Sequence, residues 1–190
     1  HQRLAGIGLA LPEPGDGAHN DPTPPDLRYS ALQEEMEKEI GFPVFVQNDI
    51  TSAAGGESMF GAAKPLSDYL FFYLGAELHS RLILNHQIYY GNSSLSFDVG
   101  IASLERNLQE INKPTEPLWD RAGAWPDYGK IKESWEVSLV EQMKRSFNAL
   151  AQFVEIKTIV LSSYAPQDIC GAICENLESS LIGVKAIAGS

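Results

Sequence analysis

Apolar residues recur along the chain with the spacings of alternating strands and helices. Short apolar runs at 4–11 (LAGIGLAL) and 43–47 (PVFVQ) have the length of buried strands. Between them, Leu32, Met36 and Ile40 are each four residues apart, which predicts a one-sided helix ended by the following glycine. This order of elements predicts parallel strands joined by crossover helices.

The same alternation continues in the rest of the chain. A helix of small residues is predicted at 50–61, and the apolar runs DYLFFYLG and SRLILN after it have the spacing of an antiparallel hairpin. A long helix is predicted from about Ser134 to Val154, with an apolar stripe along one face. The chain then reads as a strand (TIVLSS), a helix (PQDICGAICENLESSL) and a final strand (VKAIA). The fold class is therefore α/β.

Composition and charge narrow the function classes. Of the 190 residues 44% are hydrophobic, which excludes wholesale disorder. The formal net charge of −11 disfavours direct contact with DNA or an anionic membrane, because such surfaces carry clustered Lys and Arg. The chain has no apolar run of the roughly 20 residues that a membrane-spanning helix needs, and its first residues do not resemble a signal peptide. These features predict a cytoplasmic protein that binds a small molecule.

Cys170 and Cys174 are the two cysteines, four residues apart on one face of a predicted helix. A structural zinc site uses four ligands, and this segment offers too few. We therefore expect buried thiols and no bound metal.

The polar pair Asn48-Asp49 directly follows a predicted strand and precedes a predicted helix. Ligands in α/β folds collect at the carboxyl ends of strands, which favours a binding role for this pair. Asp and Asn are also preferred helix N-caps, so Asp49 could simply cap the helix that starts near Ile50. The two roles are compatible, and the residues alone leave both open.

Three segments, in one order along the chain, carry the motifs of a known family. GIGLALPEPGD (6–16) is similar to an apolar strand followed by Pro-Gly-Pro-x-Asp, and GFPVFVQNDITSAAGGESMFGAAK (41–64) is similar to Gly-x-Pro-Val-x-Val-Glu-Asn-Asp-Ala-Asn-Ala-Ala-Ala-x-x-Glu. LFFYLGAELHSRLILNHQIYYGNSS (70–94) is similar to a glycine-loop hairpin. The chain therefore resembles the ROK group of repressors and sugar kinases, in the actin and hexokinase superfamily.

This resemblance implies a two-lobe, actin/hexokinase-like (ribonuclease H-like) fold that lacks the first strands of the N-terminal lobe. Residues 1–68 would be the remainder of that lobe and residues 69–190 the second α/β lobe. It also implies that Asn48 and Asp49 hydrogen-bond sugar hydroxyls, with Asp98 contributing from the other lobe. In kinase members the aspartate is the general base toward the hydroxyl that is phosphorylated.

Two departures from the kinase pattern affect the expected activity. Where kinase members carry Leu-Gly-Thr-Gly-x-Gly-Gly-Gly, residues 74–81 read LGAELHSR, so only the first glycine remains. Glycines in such loops let backbone amides approach phosphate oxygens, and their loss predicts impaired nucleotide binding. The family's zinc motif is also missing, because residues 93–101 read SSLSFDVGI and no cysteine occurs before Cys170.

The resemblance and these departures together predict the sugar-binding region of a bacterial ROK-type transcriptional regulator. We expect it to be catalytically inactive, without a cofactor, and to act as a homodimer. DNA would be contacted only through an upstream helix-turn-helix that this chain does not contain. The alternative is a divergent ATP-dependent sugar kinase. Glu57 matches the glutamate that ends the Asn-Asp signature, and we expect it to be structural.

Overall fold

The fold was analysed in a computed structural model that describes residues 5–11, 25–75, 78–89 and 132–189. Strands and helices alternate through most of this part of the chain. In chain order the elements are β1 (Ile7–Leu11), α1 (Pro25–Ile40), β2 (Val44–Asn48), α2 (Asp49–Met59), β3 (Tyr69–Leu74), β4 (Leu78–Leu84), β5 (Gln87–Ile88), α3 (Lys132–Leu150), β6 (Thr158–Ser163), α4 (Gln167–Ser180) and β7 (Lys185–Ala188).

The described strands form two sheets. β1 and β2 pair in parallel, with Leu11 opposite Asn48. The larger sheet has the order β5-β4-β3-β6-β7. In it β3, β6 and β7 are parallel, whereas β4 is antiparallel to β3. The predicted parallel strands and the predicted hairpin are thus both confirmed.

Each face of the larger sheet is covered by helices. One face presents Leu70, Phe72 and Leu74 of β3 to α3 and α4, in a core that includes Met143 and Phe147 of the predicted apolar stripe. The other face packs against α2, whose Ile50 and Ala54 belong to one buried cluster with Tyr69 and Phe71 of β3. Because residues alternate between the faces of a strand, the nearly continuous apolar run of β3 makes this strand apolar on both sides.

The two cysteines are buried in the core beneath α4. Burial raises the pKa of Cys174 to about 12, so its thiol stays protonated at neutral pH. A metal ligand or nucleophile must be a thiolate. The expectation of buried thiols is confirmed.

Helix ends differ from the sequence prediction by a few residues. α1 begins at Pro25, seven residues before Leu32, the first residue of the predicted apolar stripe, and proline is well tolerated in the first turn of a helix. α3 ends at Leu150 and not at Val154; the last predicted residues form turns, in which the Phe153 and Val154 amides donate to the Leu150 carbonyl. The division of the chain at residue 68 stays a prediction; α2, on its N-terminal side, packs against the larger sheet.

Candidate functional site

The candidate site lies at the N-terminus of α2, where β2 ends. Asn48 is the last residue of β2 and the N-cap of α2, and its side-chain oxygen Oδ1 accepts a hydrogen bond of 2.9 Å from the Thr51 backbone amide. Asp49 is the first residue of the helix and not its cap. The alternative that Asp49 caps α2 is therefore wrong. Asn48 is the cap, because the helix starts at Asp49, one residue earlier than predicted, and both residue types cap helices well.

Arg81 on β4 connects this helix end to the larger sheet. Its side chain is fully buried. Nη2 donates to Asn48 Oδ1 at 3.0 Å, and Nε donates to Thr51 Oγ1 at 3.1 Å. Nη1 donates to the Ser80 carbonyl at 2.7 Å. Since a buried charge is costly unless it is hydrogen-bonded, these bonds stabilise both the guanidinium and the position of α2.

Asp49 lies in the first turn of α2 and is only partly buried. One of its carboxylate oxygens, Oδ1, accepts from the Ile50 amide at 2.8 Å, and its charge is favoured by the positive end of the helix dipole. An ionised carboxylate accepts several hydrogen bonds and can take up a proton. The position of Asp49 thus suits an acceptor for ligand hydroxyl groups.

Two tyrosines that sequence reasoning missed belong to this region: Tyr73 is near Asp49, and Tyr164 is near Tyr73. Burial, and then the negative charge of Asp49, raises the pKa of Tyr73 on β3. Burial, and then the neighbouring Tyr73, raises the pKa of Tyr164, which directly follows β6. Both are at the carboxyl ends of adjacent parallel strands. Their position after apolar strand residues was the signal that could have identified them.

Glu57, at the other end of α2, is buried between that helix and the strands β6 and β7. Its Oε2 accepts from the Ala62 amide at 3.0 Å, and its Oε1 accepts from Ser162 Oγ at 3.4 Å. A methyl group at Gly189 would come within 2.9 Å of the Glu57 Cδ. The carboxylate thus fills a space between glycines and ties two elements together, which supports the structural role expected for it.

The segment that resembles the kinase phosphate loop is largely strand. Leu74 ends β3, and residues 78–81 begin β4 with Leu78, Ser80 and Arg81 buried. Ser80 and Arg81 pair with Phe72 and Phe71 in a regular antiparallel register. Residues 76–77 lie outside the described part of the chain. His79, Ser80 and Arg81, which the resemblance places at glycines of kinase members, are thus residues of a regular strand.

Asp98 and the segment 93–101, which would replace the zinc motif, also lie outside the described residues. Their proposed contribution to the site stays a prediction. Across residues 5–11, 25–75, 78–89 and 132–189, no group of three or more His, Cys, Asp or Glu side chains could hold a metal ion. No helix within these ranges is long and apolar enough to cross a membrane.

Comparison with solved structures identifies the class of fold. A ROK-family glucokinase from Streptomyces griseus, solved with glucose and AMPPNP, superposes with a TM-score of 0.59 at 18% identity over 83% of this chain and 67% of that chain. A ROK-family transcriptional regulator homologous to the Escherichia coli MLC protein gives a TM-score of 0.57 at 14% identity over 84% and 51%. The fold is therefore that of the actin/hexokinase-like sugar kinases and regulators.

The sequence comparisons define the family. A model of the ROK family matches residues 3–111, more than half of the 190-residue chain. The chain belongs to the ROK family. It is 23% identical to the xylose repressor of Bacillus subtilis over 158 residues, which are 82% of this chain and 40% of the repressor. It is 32% identical to the glucokinase of Streptomyces coelicolor over 146 residues, 77% of this chain and 42% of the kinase. The chain thus spans less than half the length of these relatives.

Proposed function

We propose that this chain is the sugar-binding region of a ROK-type transcriptional regulator and does not phosphorylate its ligand. The observation that carries this proposal is the buried side chain of Arg81. By its resemblance to kinase members, Arg81 stands at the last glycine of the phosphate loop. In the structure its guanidinium is directed onto Asn48 and Thr51 at the N-terminus of α2.

The consequence for nucleotide binding follows from the geometry of phosphate recognition. Phosphate oxygens are bound by backbone amides that glycines leave accessible. Here His79, Ser80 and Arg81 place side chains along that backbone, within a regular strand. Asn48, which Arg81 contacts, and Asp49 next to it in sequence are retained, so the residues that would bind sugar are kept and those that would bind phosphate are replaced.

The chemistry of the α2 N-terminus suits a sugar. The Asp49 carboxylate can accept hydrogen bonds from two hydroxyl groups. Tyr73, near this carboxylate, and Tyr164, near Tyr73, add ring faces and hydroxyl groups of the kind that line ligand pockets. Asp98 would contribute a further acceptor from the other lobe. Related proteins include xylose repressors and a ROK-family protein from Streptococcus pneumoniae solved in complex with sucrose.

Signalling to DNA would work through a shift between conformations. A sugar can move the equilibrium of a homodimer only if it binds the DNA-competent and DNA-incompetent states with different affinity. The net charge of −11 disfavours DNA contact by this chain itself. DNA would be bound by a helix-turn-helix outside these residues, in the cytoplasm.

A sugar kinase is the second candidate. The identity of 32% to the glucokinase of Streptomyces coelicolor favours it. Asp49 would then act as the general base that activates a sugar hydroxyl. This candidate requires a phosphate site other than the glycine loop, since residues 78–81 form part of a strand with largely buried side chains.

The proposal predicts that a neutral sugar stabilises the full-length protein without a nucleotide. A ligand present at about a hundred times its dissociation constant stabilises by roughly 2.7 kcal/mol. For a chain of this size that corresponds to about 5–10 °C in melting temperature. A thermal-shift panel of pentoses, hexoses and disaccharides, led by D-xylose, D-glucose and sucrose, measures the shift. L-Glucose controls for non-specific effects of the solute. A panel without any shift would contradict the proposal.

A further inference from the structure

The side chain of Asn48 has a fixed orientation in the structure. It is 8% exposed, so nine-tenths of it is out of solvent. Its Oδ1 accepts from the Thr51 amide and from Arg81 Nη2. A backbone N–H and a guanidinium can only donate, and a carbonyl oxygen has two lone pairs. The oxygen must therefore face these two groups, and both of its lone pairs already accept a hydrogen bond.

The amide nitrogen of Asn48 is directed away from those donors. Within residues 5–11, 25–75, 78–89 and 132–189, Nδ2 makes no hydrogen bond. In the described part of the chain Nδ2 is not among the fully buried side-chain atoms that lack a partner, so this donor reaches solvent, where a bound molecule can offer it an acceptor. The unpartnered donor lies next to Asp49, whose carboxylate can only accept when ionised.

We propose that Arg81 is a positioning residue that fixes Asn48 as a donor-only contact for the sugar. This inference rests on the proposed function and goes further, because it assigns a specificity role to a residue at a position where kinase members carry glycine. Glycine has no side chain that could hold the Asn48 oxygen. Arg81 holds it with Nη2 and holds the neighbouring Thr51 with Nε, two donors in one rigid plane.

The donor and the acceptor side by side define the chemistry of the ligand. A sugar hydroxyl can accept from Asn48 Nδ2 while it, or its neighbour on the ring, donates to Asp49. An ammonium group in that position has no lone pair for Asn48. The site should therefore take sugars that present a hydroxyl to Asn48 Nδ2, and a sugar in which hydrogen replaces that hydroxyl should bind more weakly.

The substitution Asn48→Asp removes the Nδ2 donor but keeps the helix cap and the bond to Arg81, so it distinguishes a ligand contact from a structural role. A carboxylate keeps both bonds at the Oδ1 position, pairs its charge with Arg81 and still caps α2. It lacks the donor. We expect the melting temperature of the full-length protein to equal or exceed that of wild type. In calorimetry, the affinity for the best sugar of the D-xylose, D-glucose and sucrose panel should fall by about tenfold or more, the size of effect expected for one lost hydrogen bond to a ligand.

The substitution Arg81→Lys tests whether Arg81 acts through Asn48. Lysine keeps the charge but cannot hold both acceptors in one plane. It should weaken binding of the same sugar in the wild-type background and should change it little in the Asn48→Asp background, because the donor is already gone. If the two substitutions act independently, the fold-losses of sugar affinity will multiply in the double variant. That result would overturn the inference. Rotation of the Asn48 amide in Arg81→Lys, followed by NMR of its side-chain NH₂ signals, is a readout that simple destabilisation does not produce.

Failure of the inference is distinguishable from failure of the proposed function. If wild type binds a panel sugar and Asn48→Asp binds it equally well, the donor role is wrong and the sugar site stands. If wild type binds no sugar of the panel, both are overturned.

Discussion

Replacement of Asp49 by asparagine should weaken sugar binding strongly and leave the fold intact. The substitution removes a charged acceptor and presents an amide donor to sugar hydroxyls in its place. Hydrogen bonds to charged groups contribute roughly 1.5–3 kcal/mol, which corresponds to about tenfold to a hundredfold in affinity. Asn48 and not Asp49 is the N-cap of α2, so the cap is unchanged and the melting temperature should stay close to that of wild type.

Asp168→Asn is the matched control for this experiment. Asp168 lies in the first turn of α4, as Asp49 lies in the first turn of α2. α4 packs on the opposite face of the larger sheet. Both substitutions remove one negative charge from a helix N-terminus, an effect of about 0.3–1 kcal/mol on stability. Only Asp49→Asn should change sugar affinity. Equal affinities for Asp49→Asn and wild type would remove the main support for a sugar site at this helix end.

The second large effect is expected at Gly61, where a methyl group has no room. A Cβ at this position would lie 2.8 Å from the Glu57 Cδ and 2.9 Å from its Cα. Rotation of the Glu57 side chain cannot relieve a contact with its own backbone, so α2 and the turn after it must shift. Overpacking of this kind costs about 1–3 kcal/mol. Thermal unfolding of Gly61→Ala should show a melting temperature several degrees below wild type.

Gly56→Ala provides the opposite expectation in the same segment. Gly56 is an exposed residue of α2, and nothing lies within 4 Å of a Cβ built there. Alanine favours helix over glycine by about 0.5–1 kcal/mol, so this variant should be slightly more stable than wild type. If the melting temperature of Gly61→Ala equals or exceeds that of Gly56→Ala, Glu57 does not pack against β6 and the turn after α2 in the way the structure shows.

Local patterns predicted most of the architecture. The stripe of Leu139, Met143 and Phe147 identified α3 because residues four apart share a helix face. The apolar runs around Phe71 and Leu82 identified the hairpin. Helix ends were less accurate, since several residues near a terminus satisfy the same signals.

The sequence could predict only the part of the candidate site that is formed by residues adjacent in sequence. Asn48 and Asp49 stand out because they follow a strand directly, yet adjacent Asn and Asp cap equally well, and the sequence could not decide which one caps α2. Arg81 interrupts an apolar strand, which is a signal that it has buried polar partners. Its partners Thr51 and Asn48 are 30 and 33 residues away in sequence, so only the tertiary fold identifies them.

In our proposal the site binds sugar but lacks the glycine loop that would bind phosphate. Calorimetric titration of the full-length protein with Mg-ATP, in the presence and absence of a stabilising sugar, tests it most directly, with phosphorus NMR of the mixture to detect a sugar phosphate. We predict no saturable binding of Mg-ATP at millimolar concentration, the same sugar affinity with and without it, and no sugar phosphate. Saturable Mg-ATP binding together with phosphate transfer to any hexose would contradict the account and identify the protein as a kinase.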